Sequence, residues 1–420
     1  MDKLIIRGGK PLYGEIDING MKNSALPILF GTIAAGGLCE IGNLPDVSDI
    51  SLALDILRSL GAKVRFTGID RVMIDTTDVV MKAPPMELVG KMRGSTYLIG
   101  AMLGRFGEAL VGYPGGCDFG TRPIDQHLKG FGALGATVEY DVNANLHAKA
   151  EQGLRGADIY FDIASVGATV NVMLAAIFAD GVTVVENAAR EPHIADMASF
   201  LNACGADISG AGTSMIRIRG VKSLHGCSYK LAPDMIEAGT YMVAAAATGG
   251  QVTIKNVIPK HMQVITQKLR DVGIRVDCGD SSITVFSDRN YRSTTIKTNP
   301  YPGFPTDMHP QFTALLSLAN GMSTISEGIW GNRFKYVEEL KKMGAEIEVS
   351  ENAAHVNGVP ALQGANVRAC DLRAGAALVI AALAADGTST VTGLEFVDRG
   401  YQDLTAKLRS LGANIQRVSD

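Results

Sequence analysis

One pattern runs through the chain six times and constrains its fold more than any other feature. A short tag recurs as SLGAKV (59–64), ALGATV (133–138), ACGADI (203–208), DVGIRV (271–276), KMGAEI (342–347) and SLGANI (410–415). Its glycines, Gly61, Gly135, Gly205, Gly273, Gly344 and Gly412, stand about 70 residues apart. A second glycine precedes each tag by 23–28 residues: Gly37, Gly107, Gly181, Gly250, Gly321 and Gly387. Two landmarks matched six times are a repeat. Units this long exceed an ordinary solenoid repeat, so closed rings of repeats fit better. Spacing alone leaves open whether six units group as three plus three or as two plus two plus two.

Each unit reads alike. A helix apolar nearly all round comes first, as in 24–34, 168–178 and 374–385, and such a helix is a buried one. A glycine turn and a short alternating strand follow, as in VTVVEN or QVTIKN. An amphipathic helix is next, for example 334–343 or 401–411. It ends at the glycine of the LGA tag, read as a C-cap. A β-hairpin leads onward, and its second strand is expected to carry a Leu-X-Gly tag at 12–14, 154–156, 224–226 and 362–364. The sequence opens on this strand and stops after only the first strand of a hairpin. The N-terminal segment is therefore expected to complete the sixth repeat.

Composition supports an ordered, turn-rich chain. It has 420 residues, 46% hydrophobic and 20% charged, enough to bury large cores in two or three domains. Glycine supplies 48 residues, well above an average share. The net charge of −4 and a pI near 6.0 give no basic field for nucleic acid. No signal-peptide pattern is visible, and the longest apolar run, 375–385, is too short to cross a membrane. Six cysteines are scattered with no C-x-x-C pair, which argues against a zinc site or a disulfide framework and fits a reducing cytoplasm. Cys39, Cys204, Cys227 and Cys370 read as small core residues.

The junctions before the six buried helices carry Lys22-Asn23, Arg93, Ser165-Val166-Gly167, Asp234 with Glu237, Asp307, and Asp371 with Arg373. In a closed ring such junctions share a side, and helix N-termini suit phosphates and carboxylates. Ser165 and Asp234 read as ordinary N-caps. Lys22 and Arg93 oppose the helix dipole, which points to an anion near them. Arg373 beside Asp371 reads equally well as half of a structural ion pair. A second set of cations, Arg122, Arg190, Lys260, Arg333 and Arg399, precedes the amphipathic helices. Arg190 and Lys260 read as solvated loop charges. Arg122, Arg333 and Arg399 sit in Gly- and aromatic-rich loops of the kind that shape sites. Converging arginines and a lysine suit a substrate with both phosphate and carboxylate.

The loop GYPGGCDFGTRP (112–123) is half Gly or Pro and looks like an insertion. Cys117 in its middle is a poor core residue and a good reactive one. Arg122 favours its thiolate and Asp118 opposes it. His127 is expected on the helix that follows, as a surface or capping group. No motif for a nucleotide cofactor, a metalloprotease or a serine hydrolase is present, so no cofactor and no metal are expected.

These residues carry a resemblance. GMKNSALPI (20–28), GGCDFGTRPIDQH (115–127), ENAAREPHI (186–194), FPTDM (304–308), NRF (332–334), DLRA (371–374) and DRGY (398–401) resemble the UDP-N-acetylglucosamine 1-carboxyvinyltransferases, enolpyruvyl transferases of bacterial peptidoglycan synthesis. The match runs in order along the whole chain. It implies an α/β fold of six βαβαββ-type repeats, in two inside-out domains of three repeats with helices inside and sheets outside. The domains would be 22–229, and 1–21 with 230–420, around a cleft that substrate closes. The implied reaction joins phosphoenolpyruvate and UDP-N-acetylglucosamine into an enolpyruvyl ether and phosphate.

The resemblance also implies roles. Asp307 meets the sugar hydroxyl as a candidate base, and Cys117 donates a proton and is the target of an epoxide antibiotic. Lys22, Arg122 and Arg399 hold phosphoenolpyruvate with Asn23 nearby, while Arg333, Asp371 and Arg373 shape its pocket. Asn23, Arg93, Arg122, Pro123, Ile124, Asp125, Gln126, Ser165, Val166, Gly167, Asp307 and Ile329 would contact the UDP-sugar. Ile163 stands where some relatives carry a lysine, which removes one diphosphate contact. Two other readings share the fold: a transferase with a different acceptor, such as the shikimate enzymes, and a non-catalytic scaffold.

Overall fold

A computed structural model describes residues 2–112, 124–140 and 145–419. The chain divides into two compact units, Gly20–Ala232 and Met1–Asn19 with Pro233–Asp420.

Each unit is built around three buried helices. In the unit 20–232 they are Lys22–Ala35, Tyr97–Phe106 and Val166–Ala176, and they pack against one another. In the other unit they are Met235–Thr248, His309–Leu316 and Leu372–Ala384, again in mutual contact. Every residue of Met235–Thr248 and Leu372–Ala384 is buried, as a sequence apolar nearly all round requires, and the burial extends to Glu237 and Arg373 in their first turns.

Three small sheets cover the helices of each unit. Their strands alternate buried and less buried residues, as in Val182–Glu186, which is how a one-sided sheet reads. The hairpins pair as expected, for instance Asp207–Ser209 with Met215–Arg219. An amphipathic helix precedes each hairpin, and all six LGA glycines follow such a helix with φ between 86° and 106°. Only glycine adopts that conformation without strain, so the tag marks a helix end for a steric reason.

One expected detail is different. The Leu-X-Gly tags do not lie on the second strand of the hairpin. They introduce a separate strand, which runs parallel to the strand after the next buried helix in two repeats: Asp158–Tyr160 with Val182–Glu186, and Asn366–Arg368 with Thr388–Thr392; Thr295–Lys297, without the tag, pairs with Met322–Ser326 in the same way. The unit is thus a β-α-β crossover followed by a helix and a hairpin. The last hairpin is closed by the N-terminus: Lys3–Arg7 lies antiparallel to both Asn414–Val418 and Thr388–Thr392.

Two tag strands are exchanged. Tyr13–Asp17 pairs with Gln251–Lys255 and not with Leu38–Gly42, the strand after the next helix in sequence. Ser228–Lys230 pairs with Leu38–Gly42 in its place. The chain therefore passes between the units twice, near 19–20 and 232–233, and both of these sheets still get a parallel edge strand.

Two amphipathic helices are shorter than read. They span Val337–Lys342 and Leu404–Ser410, against expected spans of 334–343 and 401–411. Asp403 has φ of 47°, which breaks the helical run after Tyr401. Tyr401 is instead turned inward, where its hydroxyl meets that of Thr240 at 2.9 Å.

Candidate functional site

The expected site residues that the structure describes fall into two sets, one in each unit, and each set gathers about buried-helix N-termini.

In the unit 20–232, Lys22 is the first residue of its helix and is almost fully buried. A cation there opposes the helix dipole. The cost is offset from within the chain, because Nζ donates to Asp49 Oδ2 at 2.9 Å. The anion inferred from sequence thus has an internal counterpart in Asp49, on the helix Ser48–Ser59, which sequence reasoning missed. Asn23 follows Lys22 and is half-buried. Arg93 opens a short 3-10 turn, Arg93–Thr96, that leads into the second buried helix. Ser165 caps the third, its Oγ accepting from Ala168 N at 3.3 Å, with Val166 and Gly167 half-buried in the first turn.

His127 links these termini. It is buried, not a surface or capping group, and a Cβ added to Gly167 would lie 2.7 Å from its Nε2. Burial, and after it Arg93, push its pKa down to about 4 against the opposing charge of Asp125. The imidazole is therefore neutral at pH 7. Ile124 and Asp125 begin the same helix, Asp125–Ala133. Gln126 is buried and grips the segment 162–165: its Oε1 accepts from Asp162 N at 2.9 Å and its Nε2 donates to Asp162 Oδ2 at 3.1 Å. Ile163 is exposed. Cys117, Asp118, Arg122 and Pro123 lie outside the described residues.

In the other unit a carboxylate sits between two guanidiniums. Asp307 Oδ1 accepts from Arg333 Nη2 at 3.0 Å, and Oδ2 accepts from Arg373 Nε and Nη2 at 3.2 and 3.1 Å. Both arginines are buried, while the Asp307 side chain keeps about a quarter of its surface open, 28%. Arg373 does not pair with Asp371 through its side chain. Asp371 is the N-cap of Leu372–Ala384 and accepts from the backbone N–H groups of Arg373 and Ala374 at 2.8 and 3.0 Å. Burial works against the charge of Arg373, but Tyr401, Asp307 and Asp234 outweigh it, so the guanidinium stays charged. It lies over the Tyr401 ring at 5.4 Å. Asp234 is an N-cap, as read, accepting from Ile236 N at 2.7 Å and Glu237 N at 3.2 Å. Arg399 is half-buried in the turn before Tyr401. Arg190 and Lys260 are exposed, in keeping with solvated loop charges.

Glu327 is a second missed residue. Its buried carboxylate accepts from Thr298 Oγ1, Thr306 Oγ1, Ile329 N and Trp330 N at 2.7–3.1 Å. Those donors tie the turn of Asp307 to the loop of Ile329. His309 approaches Glu327 at 3.8 Å, but burial keeps the imidazole neutral, so this is no ion pair. The signal for Glu327 was absent from the sequence, since a lone Glu at a strand end is ordinary.

The cysteines also differ from expectation. Cys370 is exposed, with its thiol 3.7 Å from Asp371 Oδ2. Cys39 and Cys204 are buried and Cys227 is half-buried, but the three lie together. No helix among the described residues is long and apolar enough to cross a membrane.

Chemically, both sets suit an anionic substrate, and Asp307 supplies a carboxylate held ionised by two cations. Comparison with known proteins agrees. The family model for EPSP synthase (3-phosphoshikimate 1-carboxyvinyltransferase) matches residues 6–408. The chain is 53% identical over 418 residues to UDP-N-acetylglucosamine 1-carboxyvinyltransferase 2 of Clostridium acetobutylicum, covering 99% of each. It is also 53% identical over 419 residues to UDP-N-acetylglucosamine 1-carboxyvinyltransferase of Clostridium botulinum, covering 100% of each. Among solved structures it resembles the enolpyruvyl transferase NikO of Streptomyces tendae, with a TM-score of 0.90, 27% identity, and 100% and 99% of the two chains covered. The EPSP synthase of Acinetobacter baumannii, at 20% identity and a TM-score of 0.73 over the full length of both chains, shares the fold. Matched along its length, the chain belongs to the EPSP synthase family of enolpyruvyl transferases, alongside the UDP-N-acetylglucosamine 1-carboxyvinyltransferases.

Proposed function

We propose that the protein transfers the enolpyruvyl group of phosphoenolpyruvate to the 3′-hydroxyl of UDP-N-acetylglucosamine and releases phosphate. This is the first committed step of peptidoglycan synthesis, and through it the enzyme serves cell wall growth, cell shape and division in the cytoplasm. The full-length identity to relatives of that name carries the reading. The Arg333–Asp307–Arg373 arrangement supports it from the side of chemistry.

The reaction adds and then eliminates. The sugar hydroxyl attacks C2 of the enol, its proton leaves to a base, and C3 takes up a proton. The tetrahedral ketal then loses phosphate and a C3 proton. Asp307 is the base for the hydroxyl: two guanidiniums hold it as carboxylate, and its remaining exposure leaves room for a donor. Cys117 is the proton donor at C3. Lys22, Arg122 and Arg399 neutralise the phosphate and carboxylate, with Asn23 beside them and Arg333 and Arg373 behind Asp307. Asp371 holds the helix end that carries Arg373. Arg93, Pro123, Ile124, Asp125, Gln126, Ser165, Val166, Gly167 and Ile329 shape the UDP-sugar site.

Phosphate release from phosphoenolpyruvate tests the reading. Release that depends on UDP-N-acetylglucosamine supports it, and release that depends on shikimate 3-phosphate sinks it. A Cys117→Asp variant should stay active and resist a thiol-directed epoxide that inactivates the parent.

A further inference from the structure

Three cysteines that are remote in sequence meet in the unit 20–232, away from the residues assigned above. Cys39 lies on the strand Leu38–Gly42, Cys204 caps the C-terminus of the helix Pro192–Ala203, and Cys227 directly precedes the strand Ser228–Lys230. Their Sγ atoms all lie within 4.8 Å of one another, with Cys204 and Cys227 at 3.3 Å. Among the described residues this is the one group of three or more His, Cys, Asp or Glu side chains with such spacing.

Apolar packing explains two buried thiols but gives no reason for three to converge. The spacing has a chemical match. A tetrahedral zinc with bonds of about 2.3 Å to sulfur holds its thiolates about 3.8 Å apart. The backbone fixes the cluster before any metal arrives. Glu40 N donates to Cys227 O at 2.8 Å, and His225 N donates to Cys204 O at 2.9 Å. A fourth donor stands at the rim, outside the spacing of the three sulfurs, and reaches a metal by a turn of its side chain. His225 is exposed, and a Cβ on Gly205, next to Cys204, would lie 3.2 Å from its Nε2. Its Nδ1 is 3.0 Å from Gly226 O, so an Nδ1–H donating there leaves the lone pair on Nε2. Cys227 and His225 also form the way in, since Cys39 and Cys204 are closed to solvent.

We infer that Cys39, Cys204 and Cys227, with His225 as fourth ligand, bind a thiophilic divalent cation of the zinc class. On binding, each thiol gives its proton to the solvent as its sulfur takes the metal, and no oxidant is involved. The cation ties the exchanged edge strand Ser228–Lys230 to Leu38–Gly42 and to the end of the helix Pro192–Ala203. It is a structural clasp that stabilises this unit in proportion to its occupancy.

Cobalt titration of the reduced, metal-free protein under argon tests this. The expected result is about one Co²⁺ per chain, with thiolate-to-cobalt charge transfer and the visible bands of a tetrahedral site, displaced by Zn²⁺. Cys204→Ser and Cys39→Ser should lose the spectrum, while Cys278→Ser keeps it. His225→Gln should weaken binding about tenfold or more. Far-UV circular dichroism checks that each variant is folded. The wild-type titration stands without the variants: no charge-transfer band there overturns the proposal. So does a band that survives Cys204→Ser. A Cys204–Cys227 disulfide that forms in air as fast with Zn²⁺ as without it overturns it as well.

Discussion

At the scale of single residues, the charges at the helix N-termini hold one another before any substrate arrives. Asp307 is the clearest case, since removing it leaves two buried guanidiniums facing each other. Asp307→Asn should reduce phosphate release by about 10²-fold or more, as loss of a general base does. It should also lower stability, by up to about 3–5 kcal/mol as for a broken buried charge network, read by urea unfolding. His127 offers a pH test. Its pKa falls from 6.5 to about 4 on folding, because burial disfavours the charged form. The unfolded chain therefore binds a proton that the folded chain does not. The stability from this group is complete above pH 6.5 and is lost as pH falls towards about 4. A His127→Gln variant should flatten the acid limb of the stability curve in that window. An unchanged limb would show that His127 does not set it.

At the scale of elements, close helix packing depends on a few small or polar positions. A Cβ on Gly100 would come to 2.4 Å from Asn171 O, a backbone atom that cannot move aside. Gly100→Ala should cost about 1–3 kcal/mol or more, measured by chemical denaturation. Asn171 is, with Thr169, a buried polar residue in an otherwise apolar helix. Its Oδ1 accepts from Gly100 N at 2.8 Å, and its Nδ2 donates to Gly167 O at 3.0 Å. Asn171→Leu should destabilise by about 1–3 kcal/mol, because it removes both of these buried hydrogen bonds. The buried helices and their caps were legible in the sequence, since apolarity and positive-φ glycine are local properties. The parallel edge strands were misplaced, because pairing partners are chosen across the fold.

At the scale of the whole molecule, the exchange of two strands sets what each unit needs. The unit 20–232 contains all strands of its own sheets, including Ser228–Lys230. The other unit takes Lys3–Arg7 and Tyr13–Asp17 from the N-terminus. A fragment of residues 20–232 should therefore unfold cooperatively in urea by circular dichroism. A fragment of residues 233–420 should not, because two of its sheets lack strands. A peptide of residues 1–19 should restore its transition. Cooperative folding of 233–420 alone would show that those strands are dispensable.

By itself the sequence determined the six repeats, the alternation of buried helix, strand, amphipathic helix and hairpin, and the junctions where Lys22, Arg93, Asp307 and Arg373 stand. These follow from periodicity and backbone sterics, which act over a few residues. The tertiary structure alone decided who meets whom. It paired Lys22 with Asp49, set Asp307 between Arg333 and Arg373, buried His127 against Gly167 and tied Glu327 to Thr298 and Thr306. It also drew Cys39, Cys204 and Cys227, scattered along the chain, into one cluster. Those contacts join residues tens to hundreds of positions apart, where no local pattern encodes the partner and only the closed packing of the repeats selects it.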